Sequence, residues 1–278
     1  MSPDFRYHIA SLAAIFMALG LGILIGTEFV GAPAVARQNR LLRRMETNLD
    51  DLRRETEEAR KNETALHKLL PSLVAKHLSG KRALVVRSGD YSDAADQAVS
   101  VLRLAGASVS SIVLPADAWH RVIDPAAKAE HLAGLLTGGA NAPALDSYRQ
   151  IGLVSGDALE APIHLVVLVG GGQTPSGPAG APPVDGLDLA RERDSALVKA
   201  WQAAGCTVVG VENLDADISY MRPYQAADIA TVDNIDRASG QIALPFALSG
   251  EKAAYGFKTT SDTALPASLD KSAVSTGP

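Results

Sequence analysis

Residues 9–30, IASLAAIFMALGLGILIGTEFV, form an apolar run with no charge between Arg6 and Glu28. A bilayer core needs about 20 such residues at a helical rise near 1.5 Å. A soluble helix of this length carries a polar face, and this one has none. We expect an uncleaved single-pass anchor over 9–30 behind a short tail at 1–8, with membrane lipid as its first partner. Two other readings compete. A cleaved signal would use Arg6 and the small-x-small site Ala34-Val35-Ala36, but a signal core is only about 7–15 residues long. A buried globular helix is disfavoured by length. Ala10, Ala14, Ala18, Gly22 and Gly26 recur every fourth residue, a stripe along which two membrane helices could pack closely. Arg6 lies before the run, and Arg37, Arg40, Arg43 and Arg44 follow it. Counted literally, they put the C-terminal part in the cytoplasm. They stand off from the run within a charged helix, so charge alone leaves topology open.

After Gly31-Ala32-Pro33 the composition changes. Residues 38–68 contain neither Gly nor Pro and are dense in Arg, Glu, Asp and Lys. Leu42, Met45, Leu49, Leu52, Thr56, Ala59, Glu63, Leu66, Leu70 and Leu73 follow the three-and-four steps of a heptad. We expect a coiled-coil stalk over 36–70 with its best seam at Leu42, Met45, Leu49 and Leu52, forming a parallel homodimer. Thr56, Ala59 and Glu63 weaken the seam, and Pro71 should end the helix near Leu70. Glu55 and Arg60 have the spacing that attracts across such a dimer. Asp50–Arg54, Arg53–Glu57 and Glu57–Lys61 are opposite charges four apart. The competing reading is a solvated helix packed on its own domain.

Residues 80–266 have the composition of one globular domain. Residues 82–87 read as a strand, 91–104 as a helix closed by Gly106, and 108–114 as a second strand, a β-α-β unit with parallel strands. Residues 163–169, IHLVVLV, are an uninterrupted strand buried on both faces. A helix at 187–204 and a strand at 207–211 follow; 128–136 and 144–153 look helical. The expected fold is a three-layer Rossmann-like α/β domain with a mainly parallel sheet. Residues 267–278 read as a disordered tail.

Chemistry is sparsely signalled. Gly170, Gly171 and Gly172 follow the buried strand where doubly wound folds bind phosphate. The run lacks GxGxxG and GK[ST] and leads into a proline-rich stretch. A nucleotide- or phosphate-binding loop is thus one reading, and a long βα loop the plainer one. Cys206 is the single cysteine, with no GxSxG elbow elsewhere. His8, His67, His77, His120, His131 and His164 form no HxH or HxxxH pair, and the four methionines do not cluster, so no soft-metal site is local. Asp233 and Asp236 flank Ile235, before a turn at Gly240 and an expected strand over 241–248 interrupted by Pro245. They could bind a cation or, more commonly, form a cap or turn. The net charge of −5 gives no basic footprint for nucleic acid. No catalytic residue is assigned, and the chain is expected not to be an enzyme.

Two stretches carry a resemblance. Arg6, His8, Ser11-Leu12-Ala13-Ala14, Phe16, Ala18-Leu19, Gly22, Leu24 and Gly26 open the chain. Thr231-Val232-Asp233-Asn234-Ile235-Asp236, Gly240-Gln241-Ile242-Ala243-Leu244, Tyr255-Gly256-Phe257-Lys258 and Leu265-Pro266 close it. In this order they resemble the mycobacterial MctB family, named for copper transport across the outer envelope. The resemblance implies an envelope protein with a role in copper export or tolerance, and we expect its globular part outside the cytoplasm. Copper is implied by the resemblance alone, and it transfers no ligands. One membrane helix makes no pore, and this is not the even alternation of a membrane barrel, so transport would need oligomers or an envelope partner. The alternative is a dimeric, membrane-tethered scaffold for envelope assembly or division.

Overall fold

The computed structural model describes residues 3–26, 32–138, 142–159, 162–174 and 186–269. The chain divides into two compact units, Met1–Asn62 and Glu63–Pro278.

The first unit holds helix α1 (Pro3–Gly26) and most of helix α2 (Ala32–Val74). Within α1, Phe5–Gly26 is long and apolar enough to cross a bilayer. The span thus begins before the expected residue 9, and residues 27–30 of the expected span lie outside the described residues. The stripe of Ala10, Ala14, Ala18, Gly22 and Gly26 is exposed. Beyond the local backbone of the helix itself, no described atom lies within 4 Å of a Cβ built at Gly22 or Gly26. Along α2, the seam residues Leu42, Met45, Leu49 and Leu52 are exposed by 51, 60, 51 and 57 %. The surface charges pair three apart, as Asp50–Arg53, Asp51–Arg54 and Glu57–Arg60, rather than four apart. Such exposed pairs add little stability.

Pro71 does not end α2, which runs one turn further to Val74. The proline removes one N–H, but burial of Leu70 and Val74 and the bond from the Ser72 hydroxyl to the Leu69 carbonyl at 2.7 Å outweigh that loss. Here the expected seam changes role. Leu66, Leu70 and Leu73 pack into the core of their own unit. Leu70→Ala is therefore expected to cost the globular part about 2–4 kcal/mol in urea unfolding, as a buried leucine should. Leu49→Ala, equally part of the heptad, should change it by less than about 0.5 kcal/mol.

The second unit is a mixed α/β fold with a seven-stranded, mostly parallel sheet. Its strands are β1 (Arg82–Arg87), β2 (Ser108–Val113), β3 (Ser155–Gly156), β4 (Leu165–Val169), β5 (Thr207–Val211), β6 (Ala230–Val232) and β7 (Ala254–Tyr255). The order is β3-β2-β1-β4-β5-β6-β7, and only the short edge strand β3 is antiparallel. The sequence order of the strands, though not their direction, reverses between β1 and β4. Alternate residues feed two cores. Val85, Val167, Val169, Val209, Val211 and Val232 face the end of α2, helix α3 (Ser92–Leu104) and the apolar helix near the C-terminus. Leu84, Val86, Val166, Leu168 and Val208 face the other side, with Trp119 and Trp201. There lie the short helix α4 (Ala116–Trp119), α5 (Pro125–Gly138), α6 (Ala142–Gln150), α7 (Gly186–Leu189), α8 (Ser195–Ala203) and α9 (Met221–Ala226).

The expected strand over 241–248 is instead helix α10 (Ala238–Leu248), every residue of which is buried. A helix apolar on all sides shows no 3.6-residue stripe, so its sequence reads like a buried strand. No local side chain caps it. The cap comes from α2, where the Glu63 carboxylate accepts the Ala238 N–H at 2.6 Å. The residue that spoils the heptad is thus a helix cap. The C-terminal stretch also departs from expectation. Ala267 N–H and the Ser268 hydroxyl donate to the Glu251 carboxylate at 2.6 Å each, and Leu269 packs on the core. Residues 270–278 lie outside the described residues.

Candidate functional site at the carboxyl edge of the sheet

Parallel sheets of this kind bind ligands where the strand order reverses, beyond the carboxyl ends of the strands. Here that point lies between Ser88-Gly89 after β1 and Gly170-Gly171-Gly172 after β4. The two loops touch backbone to backbone. Ser88 and Gly89 N–H both donate to the Val169 carbonyl, at 2.9 and 3.0 Å, and Asp90 N–H donates to Gly171 at 2.9 Å. A Cβ on Gly89 would collide with the Gly171 carbonyl. On the other side, a Cβ at Gly170 would strike the Tyr220 and Tyr224 rings.

Four of the five N–H donors over 170–174 are already used. Gly170 N–H goes to Val211 and Gly172 N–H to Ile218, both at 2.8 Å. Gln173 and Thr174 N–H go to the Asp90 and Asp217 carboxylates, both at 2.9 Å. A phosphate would have to displace carboxylates and then meet their charge. The sequence candidates Gly170, Gly171 and Gly172 form a packed turn, with φ +88° at Gly171 where glycine is favoured.

Beneath this turn lies a buried polar cluster. A π-helical turn, Ala190–Asp194, joins α7 to α8. It sets two consecutive residues inward, so that Arg193 and Asp194 are 1 and 0 % exposed. Arg193 Nε donates to Asp194 Oδ1 at 2.7 Å, and its Nη2 to the Ser88 carbonyl at 3.1 Å. The guanidinium lies over the Trp119 ring at 5.6 Å. Asp194 Oδ2 accepts the Ser88 hydroxyl at 2.8 Å and the Tyr224 hydroxyl at 3.0 Å. Burial and the Asp194 charge hold the Tyr224 hydroxyl well above its ordinary pKa, and the same two causes raise Tyr220.

A second cluster lies after β5 and β6. Glu212 is fully buried and accepts the Ser219 hydroxyl at 2.6 Å, the Tyr220 N–H at 2.8 Å and the Lys258 ammonium at 2.6 Å. Burial raises its carboxyl pKa, and Lys258 and Ser219 oppose that rise. Asp233, also fully buried, accepts the N–H groups of Phe257 and Lys258 at 2.9 Å each, together with the Ser261 hydroxyl. Gly256 sits at φ +141°, and any Cβ there would collide with the Asp233 carboxylate. The 256–261 turn is therefore built around that carboxylate.

Asp233 and Asp236 are not brought to a common point. Asp236 Oδ1 accepts Leu214 N–H at 2.8 Å, and its Oδ2 pairs with Arg237 at 3.1 Å. The pair thus acts as two separate anchors. Among the described residues, no group of three or more His, Cys, Asp or Glu is arranged to hold a metal ion. His67 lies 3.3 Å from Glu63, His77 against Phe246, and His131 within 2.7 Å of the Tyr148 hydroxyl. Cys206 is buried at the opposite, amino end of β5, where desolvation raises its thiol pKa.

The sequence assigned no site role to Glu212, Ser88 or the Arg193-Asp194 pair, and Lys258 entered only within the stretch Tyr255-Gly256-Phe257-Lys258 that carries the family resemblance. Glu212 had a usable signal, a lone acid directly after an apolar strand. Arg193 and Asp194 had none, because consecutive charged residues in a stretch such as Arg191-Glu192-Arg193-Asp194 read as a solvated helix face.

A family model described as copper transport outer membrane protein, MctB, matches residues 3–138 and 122–266. No curated protein matches the chain. The family match takes in the apolar helix, α2, the sheet and both carboxyl-edge clusters, and the chain belongs to the MctB family.

Proposed function

We propose that this chain is a non-enzymatic, membrane-anchored component of copper export or tolerance, with its globular part outside the cytoplasm. The observation that carries the reading is the family match over residues 3–266. The span Phe5–Gly26 supports the anchor, and the long helix α2, with its exposed seam at Leu42, Met45, Leu49 and Leu52, supports a stalk. The strand order, reversing between β1 and β4, supports a Rossmann-like ancestry for the domain. The carboxyl edge supports a structural role, since the N–H groups of Gly170, Gly172, Gln173 and Thr174 and the buried carboxylates are bonded within the chain. That leaves the nucleotide-binding reading without its loop.

Copper is the cargo in this reading, and a single candidate span among the described residues requires a second copy or an envelope partner to move it. Deletion is expected to lower the copper concentration that halts growth, with tolerance restored by the full chain and not by a chain lacking residues 1–31. Unchanged tolerance on deletion, with no copper retained by the detergent-solubilised full chain, would overturn the proposal. A second reading, a membrane-tethered scaffold, is favoured by the exposed seam of α2. It predicts that tolerance is unaffected while envelope morphology changes.

A further inference from the structure

One heptad runs through α2, but its two ends have different partners. Leu42, Met45, Leu49 and Leu52 stand half-exposed or more in the first unit. From Glu63 onward the same register belongs to the globular unit. Glu63 caps α10, and Leu66, Leu70 and Leu73 enter the core. The boundary between the two units falls at Asn62/Glu63, where the register changes hands.

We infer that two copies of the chain pair in parallel along 42–59 and part at Glu63, each domain keeping the last three turns of α2 for itself. The inference rests on the membrane-anchored reading, because α1 directly upstream brings both copies in with their N-termini together. An antiparallel pair would carry the two anchors to opposite ends of the rod. Parallel pairing also sets Glu55 opposite Arg60 of the second copy. The paired segment is 18 residues, about 27 Å of helix. Two and a half heptads ending in Thr56 and Ala59 are marginal for a free helix in water. Confinement to one membrane raises the effective concentration of the second copy and makes so short a seam sufficient. Continuing the seam past Glu63 would strip Leu66, Leu70 and Leu73 from their own core, so the coil stops there.

The test uses the full chain in its membrane, in a Cys206→Ser background. Leu52→Cys is oxidised with diamide and compared with Leu70→Cys. We expect about tenfold more disulfide dimer at 52 than at 70, since cysteines whose Cα atoms lie beyond about 7 Å cannot join. Because Leu70→Cys disturbs the core, a second measurement stands apart from it. Leu49→Asp with Leu52→Asp, both exposed, should abolish amine cross-linking of the otherwise unaltered dimer while leaving the urea midpoint of the globular part unchanged. Equal dimer at 52 and 70 would overturn the fork. Absence of dimer at 52 in a chain resistant to carbonate extraction would overturn the pairing. A chain released by carbonate would overturn the anchored reading itself, and the parallel pairing with it.

Discussion

Asp233→Ala is expected to lower the stability of the globular part by about 3–5 kcal/mol, seen as a fall in urea midpoint at unchanged slope. The carboxylate is fully buried and serves three donors, two of them backbone N–H groups that have nowhere else to go. Removing it strands those donors and frees the turn that presents Lys258 to Glu212. Asp233→Asn keeps the volume and one acceptor oxygen but turns an amide toward a donor, so a smaller loss of about 2 kcal/mol is expected. Asp236→Ala removes one N–H acceptor and a half-exposed ion pair and should cost about 1 kcal/mol. All three losses should appear in chelator-treated buffer. If the aspartates instead held a cation together, Asp233→Asn would match the parent in chelator and lose only a metal-dependent gain. That outcome would sink the anchor interpretation.

How far the sequence was legible depends on whether an element's stabilising partners lie nearby in the chain. Strands β1, β2, β4 and β5 read to within two residues because runs such as 82–87 and 163–169 carry their own apolar signature. The helix between β1 and β2 read equally well, since Ala95, Ala98 and Leu102 mark its buried face. Helix α10 did not, because what makes it a helix rather than a strand comes from elsewhere. Its N-terminal cap is Glu63, 175 residues earlier, and Gly240 is needed only because α10 lies against the Asn234 backbone. The heptad spacing is plain in the sequence, but a pattern does not name its partner. Leu49 and Leu70 are equivalent in spacing, yet one is 51 % and the other 7 % exposed. At the carboxyl edge, the glycines after β4 look like a phosphate loop until Asp90 and Asp217 are seen to occupy the N–H groups of Gln173 and Thr174 that follow them. Those two carboxylates sit 83 and 43 residues from the N–H groups they bind.

Arg193→Met should destabilise the fold by a similar amount, about 3–5 kcal/mol, for a different reason. Methionine fills much of the same volume beside Trp119, so packing is largely kept and the cost is electrostatic. Asp194 would be left as a charge with no exposure, bonded to the hydroxyls of Ser88 and Tyr224 but facing no cation at 2.7 Å. The Ser88 carbonyl would also lose the donor that fixes the end of β1 against the β4 loop. The ion pair need not be a large net gain over an apolar pair, because both groups gave up their hydration on burial. A double-mutant cycle separates the two contributions. Asp194→Asn alone should also be destabilising, while Arg193→Met with Asp194→Asn should recover at least about 2 kcal/mol of the summed losses, since the uncompensated charge is gone. Simple additivity of the two losses would show that the residues act independently and that the π-helical turn does not exist to bury this pair. Recovery would place the pair as the lock that keeps the reversal point of the sheet closed, with Tyr224 as its third member.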